Sequence, residues 1–331
     1  MLDLAEGYTG RPNVRRPFPF QSIILWKEGN MPRFCATALA VLATLGFVPP
    51  VVAETTDFYA HWADGKAEIS SYRVAQPRYG ESREGYGVLI FVTEDLNRKT
   101  YIKVESPTPP PERVYVLKLN NVLKFTTGIY DYSVMTSVFS AVEGLSGTGP
   151  FELMKVNLSS QEWCGHIFDE IRVDDGKLRG ALNSYFEREG LRTYSLDMPE
   201  GFQSEDHLLI RIRELKGPIM RAGESRPVRL LRSLWSFRTR HRPHALVDAR
   251  LSKGKPETIT ISNERHEATP WRWETDRWNT TVWVEAAYPR RILKWEDGAG
   301  ARAELMVTLR EPYWRQKALS DEVYRKRLGI P

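Results

Sequence analysis

Most of the chain alternates apolar and polar residues with a period of two, and Gly, Pro, Asn or Asp residues bound the alternating segments. Successive side chains of a strand point to opposite faces of a sheet, so this pattern predicts half-buried antiparallel strands. A first series of predicted strands comprises residues 66–75, 86–94, 99–106, 113–120, 129–142, 151–159, 161–168, 177–188 and 191–198. A second series comprises residues 226–238, 244–252, 257–263, 280–288, 290–297 and 302–310.

Three segments depart from the alternation and are predicted to be helical. One has Thr56 as its N-cap, and another has Ser204 as its N-cap, two acidic residues in its first turn and Gly217 at its end. The third, residues 312–331, forms a predicted C-terminal helix with Pro312 in its first turn.

This distribution of elements predicts a mainly β protein with a few short helices. Residues 54–203 form a first antiparallel half and residues 204–311 a second. The two halves build either one large curved sheet, as in a half-barrel, or two sheets that share a core. A curved sheet that wraps around a helix leaves a concave apolar face, where we expect a ligand to bind.

The start of the chain carries an export signal. Residues 31–53 combine an arginine, an apolar run at 34–48 and a small-residue cleavage site that ends at Ala53. The run is shorter than the ~20 residues that a membrane-spanning helix needs. We therefore expect cleavage near Ala53, a periplasmic or secreted product and no stable membrane span after cleavage. Residues 1–30 are interpreted as a mis-assigned, disordered start.

Composition, charge and motifs argue against nucleic-acid binding and against several known classes of enzyme. The net charge of +5 is spread along the chain without a dense basic arm, which argues against nucleic-acid binding. Of the two cysteines, Cys35 lies in the predicted signal peptide, so Cys164 has no internal disulfide partner. No signature of a known catalytic class or cofactor site is present, and no cofactor is predicted.

The segment SSQEWCGHIF places Glu162, Cys164 and His166 at alternating positions. On a single strand these side chains share a face, but neighbours two residues apart start about 6.6 Å from each other, beyond hydrogen-bond reach. Three interpretations stay open. Cys164 is a buried packing residue, or a thiol nucleophile activated by His166 and oriented by Glu162, or part of a metal site, which still lacks two ligands. We predict Glu162, Cys164 and His166 as candidate catalytic residues, and we predict no metal site.

Other residues are candidates for ligand binding. The basic segment at 238–244 includes Arg238 and Arg240, which could hold a phosphate or an anionic envelope polymer, although such a segment can also be a solvated loop. Tyr130, Tyr132 and Trp163 are the aromatic candidates. Further along, two tryptophans of the segment TPWRWETDRW share a strand face and either stack on a sugar or pack in the core.

Four blocks, RYGESREGYGVLIFVTED, VLKLN, TGIYDYSVMTS and QEWCGH, together resemble an uncharacterised family of exported bacterial proteins that is sometimes labelled "septum formation inhibitor Maf". The resemblance implies that Cys164 and His166 belong to a recurring block. Residues 288–309 also resemble the end of periplasmic half-barrel proteins that carry lipids or lipoproteins.

These observations support two functional hypotheses. The first is a non-enzymatic periplasmic module whose concave sheet binds an apolar or envelope-derived ligand, with a lipid or envelope component as its partner. The second is a thiol-dependent hydrolase or transferase that uses Cys164 and His166. The oligomeric state stays open.

Overall fold

The computed structural model describes residues 58–145, 147 and 149–331. The expectations for the start at residues 1–30, for the signal peptide at 31–53 and for the Thr56 cap lie outside the described residues. Within them the chain is mainly β, and its strands form one large, open, curved sheet with a few short helices. This confirms the predicted fold class.

The first half of the sheet is a meander of long strands. They are β1 (Ala67–Arg78), β2 (Glu81–Asn97), β3 (Arg113–Thr127), β4 (Tyr130–Ala141), β5 (Glu152–Glu162), β6 (Gly165–Asp174), β7 (Lys177–Ser184) and β8 (Leu191–Asp197). Each strand pairs antiparallel with the next along the chain. Burial alternates along β6, where Ile167, Asp169 and Ile171 are buried and their neighbours are more exposed.

The second half joins the same sheet. Its strands are β9 (Phe202–Ser204), β10 (Ser225–Leu231), β11 (Leu246–Lys253), β12 (Glu257–Ile261), β13 (Glu264–Glu274), β14 (Asn279–Glu285), β15 (Ile292–Asp297) and β16 (Arg302–Glu311). The spatial order runs from β8 back to β1, continues with β16, β15, β14, β13, β11 and β10, and ends at β9, while β12 pairs only with β13. The pairing of β1 with β16 therefore joins the two predicted halves.

Short helices pack on one face of this sheet. They are α1 (Phe58–Trp62), α2 (Glu205–Arg211) and α3 (Leu234–Arg240). α2 contacts β4, β5 and β9, and α3 contacts β5. Side chains from both halves and all three helices form one large buried cluster, which includes Trp62, Tyr72, Phe91, Trp271 and Trp273. The two tryptophans of the TPWRWETDRW segment are therefore core residues. None of the described helices is long and apolar enough to cross a membrane.

The C-terminal segment covers part of the opposite face. It contains two 3₁₀ turns, Tyr313–Arg315 and Leu319–Glu322, and then α4 (Val323–Arg327), so it is interrupted where one continuous helix was predicted. The interruption follows from the extended backbone at Ala318. Leu328 packs with Ile69, Val88 and Val92 in a separate buried cluster.

Several further predicted elements differ in the structure. Residues 99–106 belong to a loop and not to a strand, because Asn97 Oδ1 accepts hydrogen bonds from the backbone N–H groups of Lys99 and Thr100 and turns the chain away from the sheet. The predicted strand 226–238 ends at Leu231, since Ser233 caps α3 by accepting a hydrogen bond from Ser236 N.

The third difference concerns residues 161–168. They form a hairpin and not a single strand, with Glu162 paired to Gly165 and a two-residue turn between β5 and β6.

The helix that was predicted after Ser204 ends at Arg211, earlier than Gly217, and the Ser204 side chain forms no capping hydrogen bond.

Candidate functional site

A cavity of about 390 Å³ lies on the concave face of the sheet. It is lined by strands from both sides of the β1–β16 pair and by α2 and α3, so the curvature of the sheet creates it. Its volume falls within the range of sites that bind small molecules. We call it the central cavity.

The walls of the central cavity combine apolar and polar side chains. The apolar side chains include Val74, Leu123, Val134, Leu209, Trp273, Val282 and Trp295. They come from alternating strand positions: Leu123 of β3 lies opposite Val134 of β4, and Trp273 of β13 lies opposite Thr280 of β14. The period-two pattern therefore supplies a surface suited to hydrocarbon groups.

The carboxylate of Glu205, at the start of α2, bonds to several groups in one wall of the central cavity. Glu205 accepts hydrogen bonds from Ser233 N at 2.9 Å and from Trp273 Nε1 at 3.0 Å, and it forms an ion pair with Arg232 at 3.3 Å. It also accepts a longer bond from Thr280 at 3.3 Å. Because its oxygens are engaged by protein donors, Glu205 positions the wall and is not a free group for catalysis.

Two donors in the same wall have no protein acceptor. Arg232 and Trp235 belong to the lining of the central cavity, and Arg232 Nη1 and Trp235 Nε1 have no hydrogen-bond partner among the described residues. The Arg232 guanidinium also stacks on Trp278, 3.7 Å from the ring centroid. Both nitrogen atoms are enclosed by protein and do not face the open space, so an acceptor of a bound molecule reaches them only after neighbouring side chains move.

Asp206 is a second carboxylate of the central cavity. Burial raises its pKa to about 7, and the hydrogen bond that it accepts from Leu234 N at 2.9 Å opposes this effect. A carboxyl group that is protonated near neutral pH adds no full negative charge to the wall. The basic groups of the cavity are therefore only partly neutralised.

The aromatic residues predicted for ligand binding do not line the central cavity, but they lie next to Tyr79, which does. Tyr130 lies 5.9 Å from Tyr132 and 6.3 Å from Trp163, measured between ring centroids. The Tyr132 hydroxyl is 2.9 Å from that of Tyr79, and Arg78 lies over the Tyr79 ring at 4.3 Å. The structure thus brings all three predicted aromatic residues together, although Tyr132 is fully buried and Trp163 is exposed.

The two predicted arginines lie in different places. Arg240 is exposed at the mouth of the central cavity, and desolvation followed by the charge of Arg232 lowers its pKa. Arg238 instead lines a second cavity of about 170 Å³. It is buried, lies over Phe186 and approaches Glu162 at 3.7 Å.

The second cavity contains a carboxylate–histidine pair that was not predicted. His244 Nε2 lies 2.6 Å from Asp169 Oδ2, and the Tyr194 hydroxyl donates to Asp169 Oδ1 at 2.8 Å. Tyr194 stacks on the His244 ring at 4.4 Å, and Phe237 packs against it at 4.5 Å. Both polar groups of the pair are thus enclosed by rings and held in one orientation.

The three predicted catalytic residues do not assemble into a thiol site. Cys164 is exposed in the β5–β6 turn, and its backbone N–H donates to Glu162 Oε2 at 2.6 Å. The Glu162 carboxylate, through a hydrogen bond and its charge, raises the pKa of the Cys164 thiol. An activated nucleophile needs the opposite shift. His166 lies beyond the turn, on β6, with an exposed side chain.

Within the described part of the chain, no group of three or more His, Cys, Asp or Glu side chains is arranged to hold a metal ion. No protein-family model, no curated protein and no solved structure matches the chain. The resemblance of the four sequence blocks and of the C-terminal half-barrel pattern therefore stays a prediction.

Several residues of the site were not predicted from the sequence. Arg232 and Glu205 lie 27 positions apart in the chain, and no local motif links them. Tyr79 could have been noticed in the sequence. It precedes Gly80 between two alternating segments, where a tight turn is expected.

Proposed function

We propose that the protein is exported and binds an amphiphilic, envelope-derived molecule in the central cavity. The observation that carries this proposal is a cavity of about 390 Å³ on the concave face, whose lining combines apolar side chains of strands from both halves with Arg232 and Arg240. The apolar part of the lining suits a hydrocarbon group, and the two guanidinium groups suit an acidic oxygen of the same molecule.

The charge of the cavity supports the same ligand class. Arg232 and Arg240 both line it, and Arg240 forms no ion pair with a described carboxylate. The lining carries three arginines, Arg78, Arg232 and Arg240, against the three carboxyl groups of Glu205, Asp206 and Asp297, so protonation of Asp206 leaves an excess of positive charge that an anionic group can balance. The ligand class is therefore a molecule with an acyl or similar apolar part and an acidic head.

Native mass spectrometry of protein purified from the periplasm tests the proposal directly. We expect a retained molecule of lipid-like mass that is released on denaturation. Binding of a dansyl-labelled fatty acid then gives an affinity that can be compared between variants.

Leu123→Trp places a larger ring in the cavity from a half-buried position on β3. We expect it to weaken binding of the dansyl probe at least about tenfold, because the added volume competes with the ligand. Met135→Trp is the matched control, since Met135 lies on the neighbouring strand with an exposed side chain outside the cavity lining. Equal affinity of the wild type and Leu123→Trp, or a protein that neither retains a lipid nor binds the probe, contradicts the proposal.

A further inference from the structure

The hairpin turns at one end of the first half each expose a large apolar side chain. In an antiparallel meander the turns β1–β2, β3–β4, β5–β6 and β7–β8 lie at the same end of the sheet. The exposed side chains are Tyr79 (60%), Ile129 (79%), Trp163 (70%) and Tyr185 (70%). We call these four residues the apolar rim.

The side chains of the apolar rim are close to one another. Tyr79 reaches Tyr132 through its hydroxyl, and Tyr132 and Trp163 both flank Tyr130, which follows Ile129 directly. On the other side of Trp163, the ring of Tyr185 lies against Gly165 so closely that a Cβ atom there would approach it to 2.6 Å. The rim residues are therefore linked through Tyr130, Tyr132 and Gly165 along one end of the sheet.

The geometry of the turns does not explain the apolar rim. Tyr79 has a φ of +55°, a conformation that bulky residues rarely adopt and that Asn or Gly occupies more readily in a two-residue turn. Among the described connections at the opposite end of these strands, only Ile102 exposes a large apolar side chain. The aromatic residues are thus concentrated at one end.

Unpaired cationic groups lie beside the rim. Arg188 and Arg192 belong to the β7–β8 connection and the start of β8, and Arg240 and Arg242 lie at the end of α3 and just after it. All four are exposed, and none forms an ion pair with a carboxylate of the described residues, whereas nearby His241 is paired with Glu189. Asp131 and Glu187 lie in or beside the same turns, are exposed and form no ion pair with a described cation, so these four arginines and two carboxylates together leave an excess of two positive charges around the rim.

We propose that this end of the molecule docks on the surface of an anionic lipid bilayer. Tyr and Trp side chains favour the interface between headgroups and acyl chains, and arginines near the surface are attracted to anionic lipids. Tyr79 and Arg240 also line the central cavity, so the docked protein presents the cavity mouth to the membrane. The docking does not depend on the identity of the cavity ligand.

A label on Cys164 tests the docking geometry, because this exposed cysteine is next to Trp163 in the rim. The full chain with Cys35→Ser carries a nitroxide on Cys164 and is mixed with vesicles of equal parts phosphatidylglycerol and phosphatidylcholine. The control chain carries Cys35→Ser, Cys164→Ser and Ile102→Cys, with the nitroxide at position 102. A position-specific readout is required because the apolar run at 34–48 can itself bind vesicles.

We expect vesicles to decrease the accessibility of the Cys164 label to a water-soluble nickel complex and to increase its accessibility to oxygen. The label at position 102 stays unchanged. Vesicles of phosphatidylcholine alone produce a much smaller effect. Equal changes at both positions, or no change at Cys164, overturn the proposal. Tight binding of polyphosphate, with the Cys164 label unchanged on vesicles, also overturns it, because the arginines then bind phosphate groups and not a bilayer.

Removal of the rim gives a second readout. The variant with Ile129→Ser, Trp163→Ser and Tyr185→Ser changes three rim residues that do not line the central cavity, and it is expected to partition at least about tenfold more weakly into the anionic vesicles in sedimentation. The variant with Ile102→Ser and Leu319→Ser removes two side chains of similar exposure elsewhere and keeps the wild-type partition. Equal partition of the rim variant and this control contradicts membrane docking. Binding of the dansyl probe to both variants in solution tests the cavity separately.

Discussion

Two neighbouring residues of α2 are buried with pKa values shifted in opposite directions. Burial raises the pKa of Asp206 from 3.8 to about 7. Burial, followed by the charge of Arg211, lowers the pKa of His207 from 6.5 to about 3. His207 Nε2 lies 2.8 Å from the Ser140 hydroxyl, and Asp206 accepts a hydrogen bond from Leu234 N. Folding therefore favours the neutral form of both residues.

The two residues contribute opposite dependences of stability on pH. The folded state holds the Asp206 proton more tightly than the unfolded state, so its contribution is fully present below pH 3.8 and is lost as the pH rises to about 7. The folded state holds the His207 proton more weakly, so its contribution is fully present above pH 6.5 and is lost as the pH falls to about 3. In the wild type the two slopes largely cancel between about pH 4 and pH 6.5.

Asp206→Asn separates the two contributions. Asparagine keeps an oxygen that can accept the hydrogen bond from Leu234 N but does not titrate. A pKa gap from 3.8 to about 7 corresponds to at most about 4 kcal/mol, at about 1.4 kcal/mol for each pH unit. We expect the free energy of unfolding of the variant, relative to the wild type, to increase by up to this amount between pH 4 and pH 8.

Urea denaturation followed by tryptophan fluorescence at a series of pH values measures this difference. His207→Gln is the matched control, because it leaves the Asp206 slope alone and its stability relative to the wild type is expected to decrease as the pH rises from about 3 to 6.5. If the difference between Asp206→Asn and the wild type is the same at every pH, Asp206 does not titrate as a buried acid and the reasoning is refuted.

Two further predictions concern a buried ion pair and the thiol. Arg213→Met leaves the Glu68 carboxylate buried without its partner, which lies at 2.8 Å, and should lower the free energy of unfolding by about 3–5 kcal/mol in urea denaturation; a loss below about 1 kcal/mol contradicts this role. Iodoacetamide should label Cys164 slowly near neutral pH, and Glu162→Gln should move the labelling profile to lower pH, because the carboxylate raises the thiol pKa. Fast labelling of the wild type at neutral pH would instead support the thiol-enzyme hypothesis.

The alternation of apolar and polar residues was enough to predict the fold class. In β6 and β7 the buried positions follow the period of two that the sequence shows. The same signal extends to the second half, where strands such as β14 and β16 were expected close to their observed bounds. This worked because each of these strands has one face in the core and one face nearer solvent, so that the pattern records burial directly.

The hairpin around Cys164 could not be found from the same pattern. Its turn is Trp163–Cys164, which lacks the Asn-Gly or Asp-Gly dipeptide that marks a two-residue turn. After the turn the inward positions change from even to odd numbers, so that Ile167 is buried and Phe168 is exposed. On a continuous strand, Phe168 would point inward and Ile167 outward. The prediction of a continuous strand therefore placed Glu162, Cys164 and His166 wrongly on one face.

The helix α3 is a different kind of error, because a local signal was present. Leu234, Phe237 and Arg238 have the spacing of one helical face, and Ser233 is a favourable N-cap residue. The apolar residues before it, Leu230 and Leu231, continue the strand pattern and obscure the boundary. The predicted aromatic residues Tyr130, Tyr132 and Trp163 are neighbours in the structure, but they do not line the central cavity, and their role in binding stays a prediction.

The composition of the central cavity is hard to explain by stability alone. Glu205 and Arg232 are largely buried, Asp206 is fully buried, and Trp235 leaves its indole N–H unpaired. Each buried donor without an acceptor costs about 1–3 kcal/mol, and packed apolar side chains at these positions avoid that cost. Under the proposed function, an acidic ligand that reached these donors would recover this cost. The unpaired donors are therefore easier to explain in a binding protein, as proposed, than in a purely structural sheet.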